Sequence, residues 1–580
     1  MRLIDVRDGS FKEFIGSQIP EYAILSHTWE DEEVSYKDVI DNVHKRKKSF
    51  AKIEATCAIA ASQGIGWAWV DTCCIDKSSS AELTEAINSM YRWYQRSKIC
   101  YAYLADLPRS EPLEEALPKC RWFTRGWTLQ ELIAPDSVIF YDEEWKIRGN
   151  KHTLMDQLSA ITGIGGRILG NTMPLSAVAV AERMSWAARR RTTRIEDTAY
   201  CLLGIFDVNM PLLYGEEEKA FGRLQEEIIK TRADRSIFAW SLPQEEEASA
   251  DGANTRTLCG VFAASPAMFE NGGTYSWEPG SWPMDVAVTN KGVKIRVNVV
   301  TVLYTSNVRY VLFTDCRPLG TPGTTLAVFL RKIGPSQFLR ENPRRLCVLY
   351  NEQNAVSWFR NDDTYVQTDI RNMVALGCEA ENVFRTDQVA TINMLDVIPK
   401  IRHDVLAISL SAGVYVPRMW PESRYDEEDD VFFTTSSGKI EGTGSMELLC
   451  AIPLGSYGQD VKHRLRLMFY ATGWSEDHLQ CTILDYPSNE STINVVQHAL
   501  EAANFSSVLS REQFIVYATP KRSELRYHFP PDDCTVIVSL HPQRRRDANI
   551  CRKEFWSVEI RVREHYGSDF PPEPAPEWFS

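Results

Sequence analysis

The sequence predicts an α/β domain with a mostly parallel sheet, then a helical extension, then a β-rich region. Three observations predict this order. Short apolar runs alternate with helical spacing up to residue 150, helical spacing alone continues to residue 240, and period-two alternation follows. Strands separated by helices imply crossover connections, which produce parallel pairing. We therefore predict domains at 1–150, 151–240 and 241–580. An acidic run near 420–440 is a candidate linker that would divide the third region into two subdomains.

The strands of the first domain are short apolar runs, as expected of strands buried on both faces. They lie at residues 22–26, 67–71, 99–104 and 137–141. Their length and separation fit one sheet built by successive crossovers.

Three helices connect these strands. Apolar residues at helical spacing predict the first over 50–63. The second begins near Ser80, carries Glu82 in its first turn, and places Leu83, Ile87, Met90 and Tyr94 on one face. The third is short and spans 128–133.

The remainder divides into helices and strands. Helical spacing recurs at 176–190, 196–206 and 216–230. Beyond residue 240 the predicted strands lie at 293–299, 310–314, 325–330, 405–410, 464–470, 535–540 and 558–562. Many strands with loop-rich spacing predict an antiparallel sandwich or barrel-like domain, or two of them.

Composition excludes several classes of function. The 580 residues include 64 Lys and Arg against 78 Asp and Glu, a net charge of −14, which argues against a dedicated nucleic-acid-binding protein. No apolar run is long enough for a membrane span. The charged N-terminus and 14 scattered cysteines favour reduced thiols in the cytoplasm. No zinc-ligand spacing and no phosphate-binding or nucleophile-elbow motif is present, so we expect no metal.

Polar residues that follow the first two strands are candidates for a ligand site, because ligands bind beyond the carboxyl ends of parallel strands. His27 and Trp29 follow the first strand, and Asp71 and Asp76 follow the second. The indole of Trp29 could stack on a ring, or fill the sheet edge. The two aspartates could bind ribose hydroxyls, or cap turns.

Glu82 and the segment 125–131 complete the candidates. Glu82 lies in a first helical turn, where a carboxylate is favoured, and it also fits the pattern of a capping-box acid. Arg125 and Trp127 could form a ligand wall, or Arg125 could form a buried ion pair with Glu131 that fixes the helix. Cys73 and Cys74 fit two buried thiols better than a nucleophile.

Several blocks together resemble the fungal heterokaryon-incompatibility (HET) domain. They are Tyr22-Ala-Ile-Leu-Ser-His-Thr-Trp29, Trp69-Val-Asp-Thr-Cys-Cys-Ile-Asp-Lys77, Glu82-Leu-Thr-Glu-Ala-Ile-Asn-Ser-Met90 and Arg125-Gly-Trp-Thr-Leu-Gln-Glu131. The stretch from Glu196 to Gly215 resembles the helical extension of one large subgroup of vegetative incompatibility proteins. The resemblance covers about residues 1–240.

This resemblance implies a role in nonself recognition and programmed cell death. It also implies a distant relation to the Toll/interleukin-1 receptor (TIR) domain, which has a flavodoxin-like fold and in some members cleaves NAD⁺ with a helix-borne glutamate. On that basis Glu82 is the catalytic candidate and NAD⁺ a substrate, not a cofactor. The implied substrate contacts are His27, Trp29, Asp71, Asp76, Arg125 and Trp127.

Two departures from the family pattern and two alternatives stay open. Glu30 and Glu217 stand where the family commonly has glycine, which bears on whether this copy is active. The first alternative is a non-enzymatic module that signals by self-association. The second is an inactive relative whose C-terminal β region binds a ligand or a protein partner.

Overall fold

The structure is a computed structural model that describes residues 1–242 without a break, residues 258–350 with short gaps, and separate strands between 383 and 564. The chain divides into two compact units. The first comprises residues 1–304, 311–330 and 340–396, and the second comprises 305–310, 331–339 and 397–580. The bounds predicted for three domains stay a prediction.

A seven-stranded sheet lies at the centre of residues 1–150. Its strands are β1 (Arg2–Asp5), β2 (Phe11–Glu13), β3 (Ala23–His27), β4 (Trp67–Trp69), β5 (Ile99–Tyr103), β6 (Val138–Tyr141) and β7 (Ile147–Asn150). They lie side by side in the order β2-β1-β4-β3-β5-β6-β7. The four inner strands, β4, β3, β5 and β6, are parallel.

The sheet is mixed, whereas the sequence predicted a mostly parallel one. All four predicted strands are present and parallel, but β1, β2 and β7 add antiparallel pairs at the two edges. These three strands were missed because each has only three or four residues, half of them polar or exposed, so no apolar run marks them.

Strand β3 is the most deeply buried element of the sheet. All five of its residues are buried, with β4 on one side and β5 on the other. Trp69 at the end of β4 is also fully buried and meets the rings of Trp93 and Tyr94 edge to face, with ring centroids 5.7 and 5.9 Å apart. Edge-to-face packing of large rings adds to the apolar burial that stabilises this core.

Six α-helices accompany the sheet. They are α1 (Tyr36–Ile40), α2 (Phe50–Ser62), α3 (Asp71–Cys74), α4 (Ser80–Arg96), α5 (Leu113–Ala116) and α6 (Thr128–Ile133). The predicted helices correspond to α2, α4 and α6. Ser79 caps α4 by accepting a hydrogen bond from the backbone of Glu82, and Ile87, Met90 and Tyr94 are buried as expected.

The helical extension contains α7 (Met155–Thr162), α8 (Gly166–Leu169), α9 (Val180–Ser185), α10 (Asp197–Tyr200), α11 (Leu203–Phe206) and α12 (Lys219–Thr231). It packs on the first domain. Asn88 of α4 exchanges two hydrogen bonds with the backbone of Met210, at 3.3 and 3.2 Å. Gly204 of α11 lies against Tyr91 of α4, so closely that a Cβ there would be 2.0 Å from the Tyr91 Cβ.

Strands follow in the rest of the first unit, and some of them extend into the second unit. They are β8 (Leu258–Cys259), β9 (Tyr275–Trp277), β10 (Ala287–Thr289), β11 (Gly292–Val302), β12 (Asn307–Phe313), β13 (Cys316–Pro318), β14 (Thr324–Gly334), β15 (Gln337–Glu341), β16 (Cys347–Tyr350) and β17 (Val383–Ile392). Strand β11 pairs antiparallel with β10 and β17, and β13 with β9.

The second unit contains two further sheets. Its strands are β18 (His403–Leu410), β19 (Val414–Trp420), β20 (Tyr425–Asp426), β21 (Val431–Thr435), β22 (Gly444–Ile452), β23 (Val461–Ala471), β24 (Leu479–Asp485), β25 (Glu524–Phe529), β26 (Cys534–Arg544) and β27 (Glu554–Glu564). The orders are β20-β21-β18-β27-β26-β25 and β19-β22-β23-β24. The predicted β-rich character is confirmed. Among the described residues, no helix has the length and apolar character needed to span a bilayer.

Candidate functional site

Trp29, Asp71 and Lys77 form a cluster beyond the carboxyl ends of β3 and β4. The Trp29 indole nitrogen donates to Asp71 Oδ2 at 2.9 Å, and Lys77 Nζ lies 3.6 Å from the centroid of the indole ring. Trp29 is nonetheless 47% exposed. The structure therefore brings together two residues predicted separately and adds a cation to them.

Glu82 is held by donors on both carboxylate oxygens. Arg2 Nη1 donates to Oε1 at 2.9 Å and Arg2 Nη2 to Oε2 at 3.3 Å, while the backbone nitrogen of Asp76 donates to Oε1 at 2.8 Å. The side chain is a third exposed. Only half of a capping box is present, because Ser79 caps the Glu82 backbone but the Glu82 carboxylate reaches Asp76 instead of Ser79.

Asp76 itself closes the turn before α4. Its Oδ1 accepts hydrogen bonds from the backbone nitrogen of Ser78 at 2.9 Å and from the Ser78 hydroxyl at 2.6 Å. This is the geometry of the turn-capping alternative. These hydrogen bonds lower the pKa of Asp76, so it stays ionised beside the site.

His27 is the last residue of β3, is buried, and lies beside a cluster of ion pairs. Its Nε2 is 3.7 Å from Glu33, and the His27 side chain is only 1% exposed. Lys52 of α2 contacts Glu33 at 2.6 Å and Glu30 at 2.9 Å. Burial disfavours charge on Glu33, but its contacts with His27, Lys52 and the Glu30 backbone outweigh burial and lower the pKa of Glu33 to about 2.

The same cluster reaches across the point where the strand order reverses, between β3 and β5. Arg121, which follows β5, lies 3.8 Å from Glu30 and 3.3 Å from Asp106. Glu30 therefore touches cations on both sides of this reversal. Glu30, noted above as a departure from the family pattern, therefore forms ion pairs with Lys52 and Arg121. Sequence reasoning missed Lys52 and Arg121, because neither stands beside a recognisable motif.

Arg125 and Trp127 face the helical extension. Arg125 Nη1 donates to Thr193 Oγ1 at 3.4 Å, and Arg125 pairs with Arg191 in a parallel β-bridge. Trp127 lies close enough to Asp197, the first residue of α10, to favour the ionised form of that carboxyl group. The structure thus places these two predicted contacts at the seam between the first domain and the extension.

Glu131 of α6 is buried, and its partner is not the arginine considered from the sequence. Ser26 of β3 donates to its carboxyl group, and Trp122 donates to the same Ser26 hydroxyl at 2.8 Å. Burial raises the pKa of Glu131 to about 8, and the nearby charge of Asp71 adds to this effect. Glu131 is therefore protonated at neutral pH, which the sequence pattern did not indicate.

Cys73 and Cys74 are both buried, as the sequence favoured. Hydrogen bonding to Cys74, together with burial, raises the pKa of Cys73 well above its usual value. A thiol that resists ionisation is a poor nucleophile. Within the described ranges, no group of three or more His, Cys, Asp or Glu side chains is placed to hold a metal ion.

Comparisons with known proteins agree with the residue blocks. Residues 22–114 match the family model for heterokaryon incompatibility protein (HET), and residues 219–278 match a domain of unknown function, DUF8212. The chain is similar to vegetative incompatibility protein HET-E-1 of Podospora anserina, with 48% identity over 244 residues. That alignment covers 40% of this chain and 18% of the relative, so the chain spans under a fifth of that protein's length.

No solved structure matches the chain. The matched residues 22–114 begin just before β3 and end within α5, so they contain Trp29, Asp71 and Glu82. Residues 22–114 of this chain are therefore identified by the family model as a heterokaryon incompatibility (HET) domain.

Proposed function

We propose that this protein acts in fungal nonself recognition and triggers cell death through its HET domain. The match over residues 22–114 supports this role, as does the similarity to a protein named for vegetative incompatibility. Action in the cytoplasm, a protein trigger and self-association are parts of the same proposal.

We further propose that the HET domain cleaves NAD⁺ at the nicotinamide–ribose bond. The order of the inner strands supports a TIR-like, flavodoxin-like domain. Numbered along the chain, they lie side by side as second, first, third and fourth, which is the flavodoxin-like order. Such sheets bind ligands beyond the carboxyl ends of their strands, where Trp29 and Asp71 lie.

The observation that carries the proposal is the fixed position of the Glu82 carboxylate. It lies in the first turn of α4, is held by Arg2 and the Asp76 amide, and remains partly exposed. The reaction needs one such carboxylate, because nicotinamide leaves as a neutral molecule when the C–N bond breaks. Water adds to the ribose carbon, a proton is released, and ADP-ribose remains.

Each proposed role follows from that chemistry. Glu82 stabilises the positive charge that develops on the ribose in an oxocarbenium-like transition state. Trp29 stacks on a ring of the substrate, and Asp71 accepts a hydrogen bond from a hydroxyl. Substrate contacts by His27, Asp76, Arg125 and Trp127 stay predictions.

The test is NAD⁺ turnover by the full chain at high protein concentration, beside Glu82→Gln and a matched Glu85→Gln. Glu85 lies on the same helix and is exposed. We expect turnover by the parent and by Glu85→Gln, and a loss of about a hundredfold or more in Glu82→Gln. Equal turnover by Glu82→Gln would remove Glu82 from the catalytic role. Absence of turnover in all three proteins would refute the enzymatic proposal.

A second candidate function is a non-enzymatic module that acts by assembly. The exposed edge strand β7 favours it, because Ile147 there is 63% exposed and edge strands can pair with another copy. Expression of the full chain in a fungal host separates the two candidates. An assembly module should kill equally well with Glu82→Gln, whereas the enzyme should not.

A further inference from the structure

Arg125 and Arg191 are held side by side at the seam between the HET domain and the helical extension. The backbone nitrogen of Gly126 donates to the Arg191 carbonyl at 2.9 Å, and the Arg191 nitrogen donates to the Thr124 carbonyl at 2.7 Å. These bonds form the parallel bridge between Arg125 and Arg191. Partners in such a bridge extend their side chains from the same face, so both arginines leave the paired backbone on one side.

Arg194 adds a third cation to this seam. Its guanidinium lies 4.5 Å from the centroid of the Tyr214 ring, and its carbonyl accepts from the Thr192 hydroxyl at 2.6 Å. The Thr193 hydroxyl lies 3.4 Å from Arg125 Nη1. The stretch 191–194, together with Arg125, therefore carries three guanidinium groups and two hydroxyl groups.

No carboxylate among the described residues forms an ion pair with Arg125, Arg191 or Arg194. The charge of Arg194 favours the ionised forms of the two acids that follow, and both acids also accept hydrogen bonds from other groups. Glu196 accepts from the backbone nitrogens of Gly215 and Glu217, and Asp197 accepts from Tyr214 at 3.0 Å. By contrast, the adjacent Arg189 is paired with Glu270 at 2.9 Å.

Arg125 and Arg191 have no ion-pair partner among the described residues, and like charges held side by side destabilise a folded chain. A bound anion removes that cost. Arginine presents several donors in one plane and matches phosphate oxygens two at a time. We propose that Arg125, Arg191 and Arg194 bind the pyrophosphate group of a nucleoside diphosphate ligand.

The position of the seam relates this site to the proposed reaction. Arg125 lies just before α6, and the helices that follow parallel strands begin at the carboxyl edge of the sheet, where Trp29 and Asp71 also lie. The anion site does not depend on NAD⁺ cleavage. If the proposed function holds as well, the site takes the pyrophosphate of the dinucleotide.

The experiment is calorimetric titration of the full chain with ADP-ribose and, separately, with inorganic pyrophosphate. The variants are Arg191→Gln and Arg194→Gln, and the matched control is Arg189→Gln, which removes the same charge from the same stretch. We expect ADP-ribose to bind the parent and Arg189→Gln alike, and to bind Arg191→Gln and Arg194→Gln about tenfold or more weakly. The affinity of the parent should fall as salt rises.

Two outcomes would overturn the proposal. One is equal binding of ADP-ribose by the parent and both test variants, and the other is no binding of either ligand to the parent at millimolar concentration. Binding of inorganic pyrophosphate with the same variant pattern supports the site and assigns its affinity to the pyrophosphate group alone. Because these readouts need no turnover, they stand or fall independently of the NAD⁺ assay.

Discussion

The side chain of Glu131 shows how burial changes the chemistry of a single residue. Its carboxyl group accepts from Ser26 of β3 and interacts with Tyr94 of α4, whose hydroxyl donates to the Leu25 carbonyl at 3.0 Å. A protonated carboxyl group can accept at one oxygen and donate at the other. The neutral acid therefore joins α6 to β3 and α4 without an uncompensated buried charge.

This state predicts a pH-dependent stability that Glu131→Gln should reduce. The folded chain holds the proton to about pH 8, whereas a free glutamate releases it near 4.5. The contribution of the protonated carboxyl group is complete below the unfolded value and is lost as pH rises from there to about 8. Glutamine keeps both hydrogen-bonding functions without this proton.

The measurement is the urea midpoint of the full chain, followed by tryptophan fluorescence, at about pH 5 and about pH 8. The parent should lose stability between the two, on the order of a few kcal/mol, and Glu131→Gln should lose less. The exposed Glu85→Gln is the control and should track the parent. Parallel curves for the parent and Glu131→Gln would show that this carboxyl group is ionised in the folded chain.

At the scale of the element, contacts from distant residues decide where the helices of the extension begin. Helix α9 starts at Val180, where the sequence spacing predicted one longer helix over 176–190. The Asp234 carboxylate accepts from the Val180 nitrogen at 2.9 Å, and the Ser236 hydroxyl accepts from the Ala181 nitrogen at 3.0 Å. These caps lie more than 50 residues along the chain, so no local pattern reveals them.

The contact between α11 and α4 predicts opposite effects for two glycine substitutions. Gly204→Ala should destabilise the chain by about 1–3 kcal/mol, because the added Cβ would overlap the Cβ of Tyr91. Gly222→Ala in α12 should stabilise it by about 0.5–1 kcal/mol, because the added Cβ would meet no atom within 4 Å beyond the local helix backbone, and alanine favours the helix. The measurement is the urea midpoint of unfolding of each variant, compared with that of the parent. A Gly204→Ala variant as stable as the parent would show that α11 can move away from α4.

At the scale of the whole molecule, the extension is anchored to Asp315 and Arg340, which belong to the same unit. Arg235 forms a bidentate ion pair with Asp315, and both side chains are largely buried. Arg340 is fully buried, donates to the carbonyl groups of Phe238 and Trp240, and lies 3.6 Å from the centroid of the Trp240 ring. Buried charges held in this way resist separation of the two parts.

Arg235→Gln should therefore lower the unfolding free energy by about 2–4 kcal/mol, because it leaves Asp315 buried without its cation. Arg189→Gln should change it by less than about 0.5 kcal/mol, because the Arg189–Glu270 pair also joins these parts but is exposed. Thermal unfolding of both variants and of the parent provides the comparison. Equal midpoints for Arg235→Gln and the parent would show that the buried pair does not anchor the extension.

Local sequence signals determined much of the HET domain. Apolar runs marked all four parallel strands, helical spacing marked α2 and α6 within one residue of their observed ends, and a serine cap marked the start of α4. Residue blocks alone indicated the family that the match over 22–114 shows. These features depend on residues close together in the chain, so a linear reading contains them.

Tertiary structure alone decided which side chains meet. It paired Trp29 with Asp71 and Glu82 with Arg2, and it placed Arg125 beside Arg191. It also supplied the antiparallel edge strands and the proton on Glu131, since burial and distant partners set both pairing and pKa. Spacing along a chain carries no information on contacts between residues 42, 66 or 80 positions apart, because the path of the backbone between them determines those contacts.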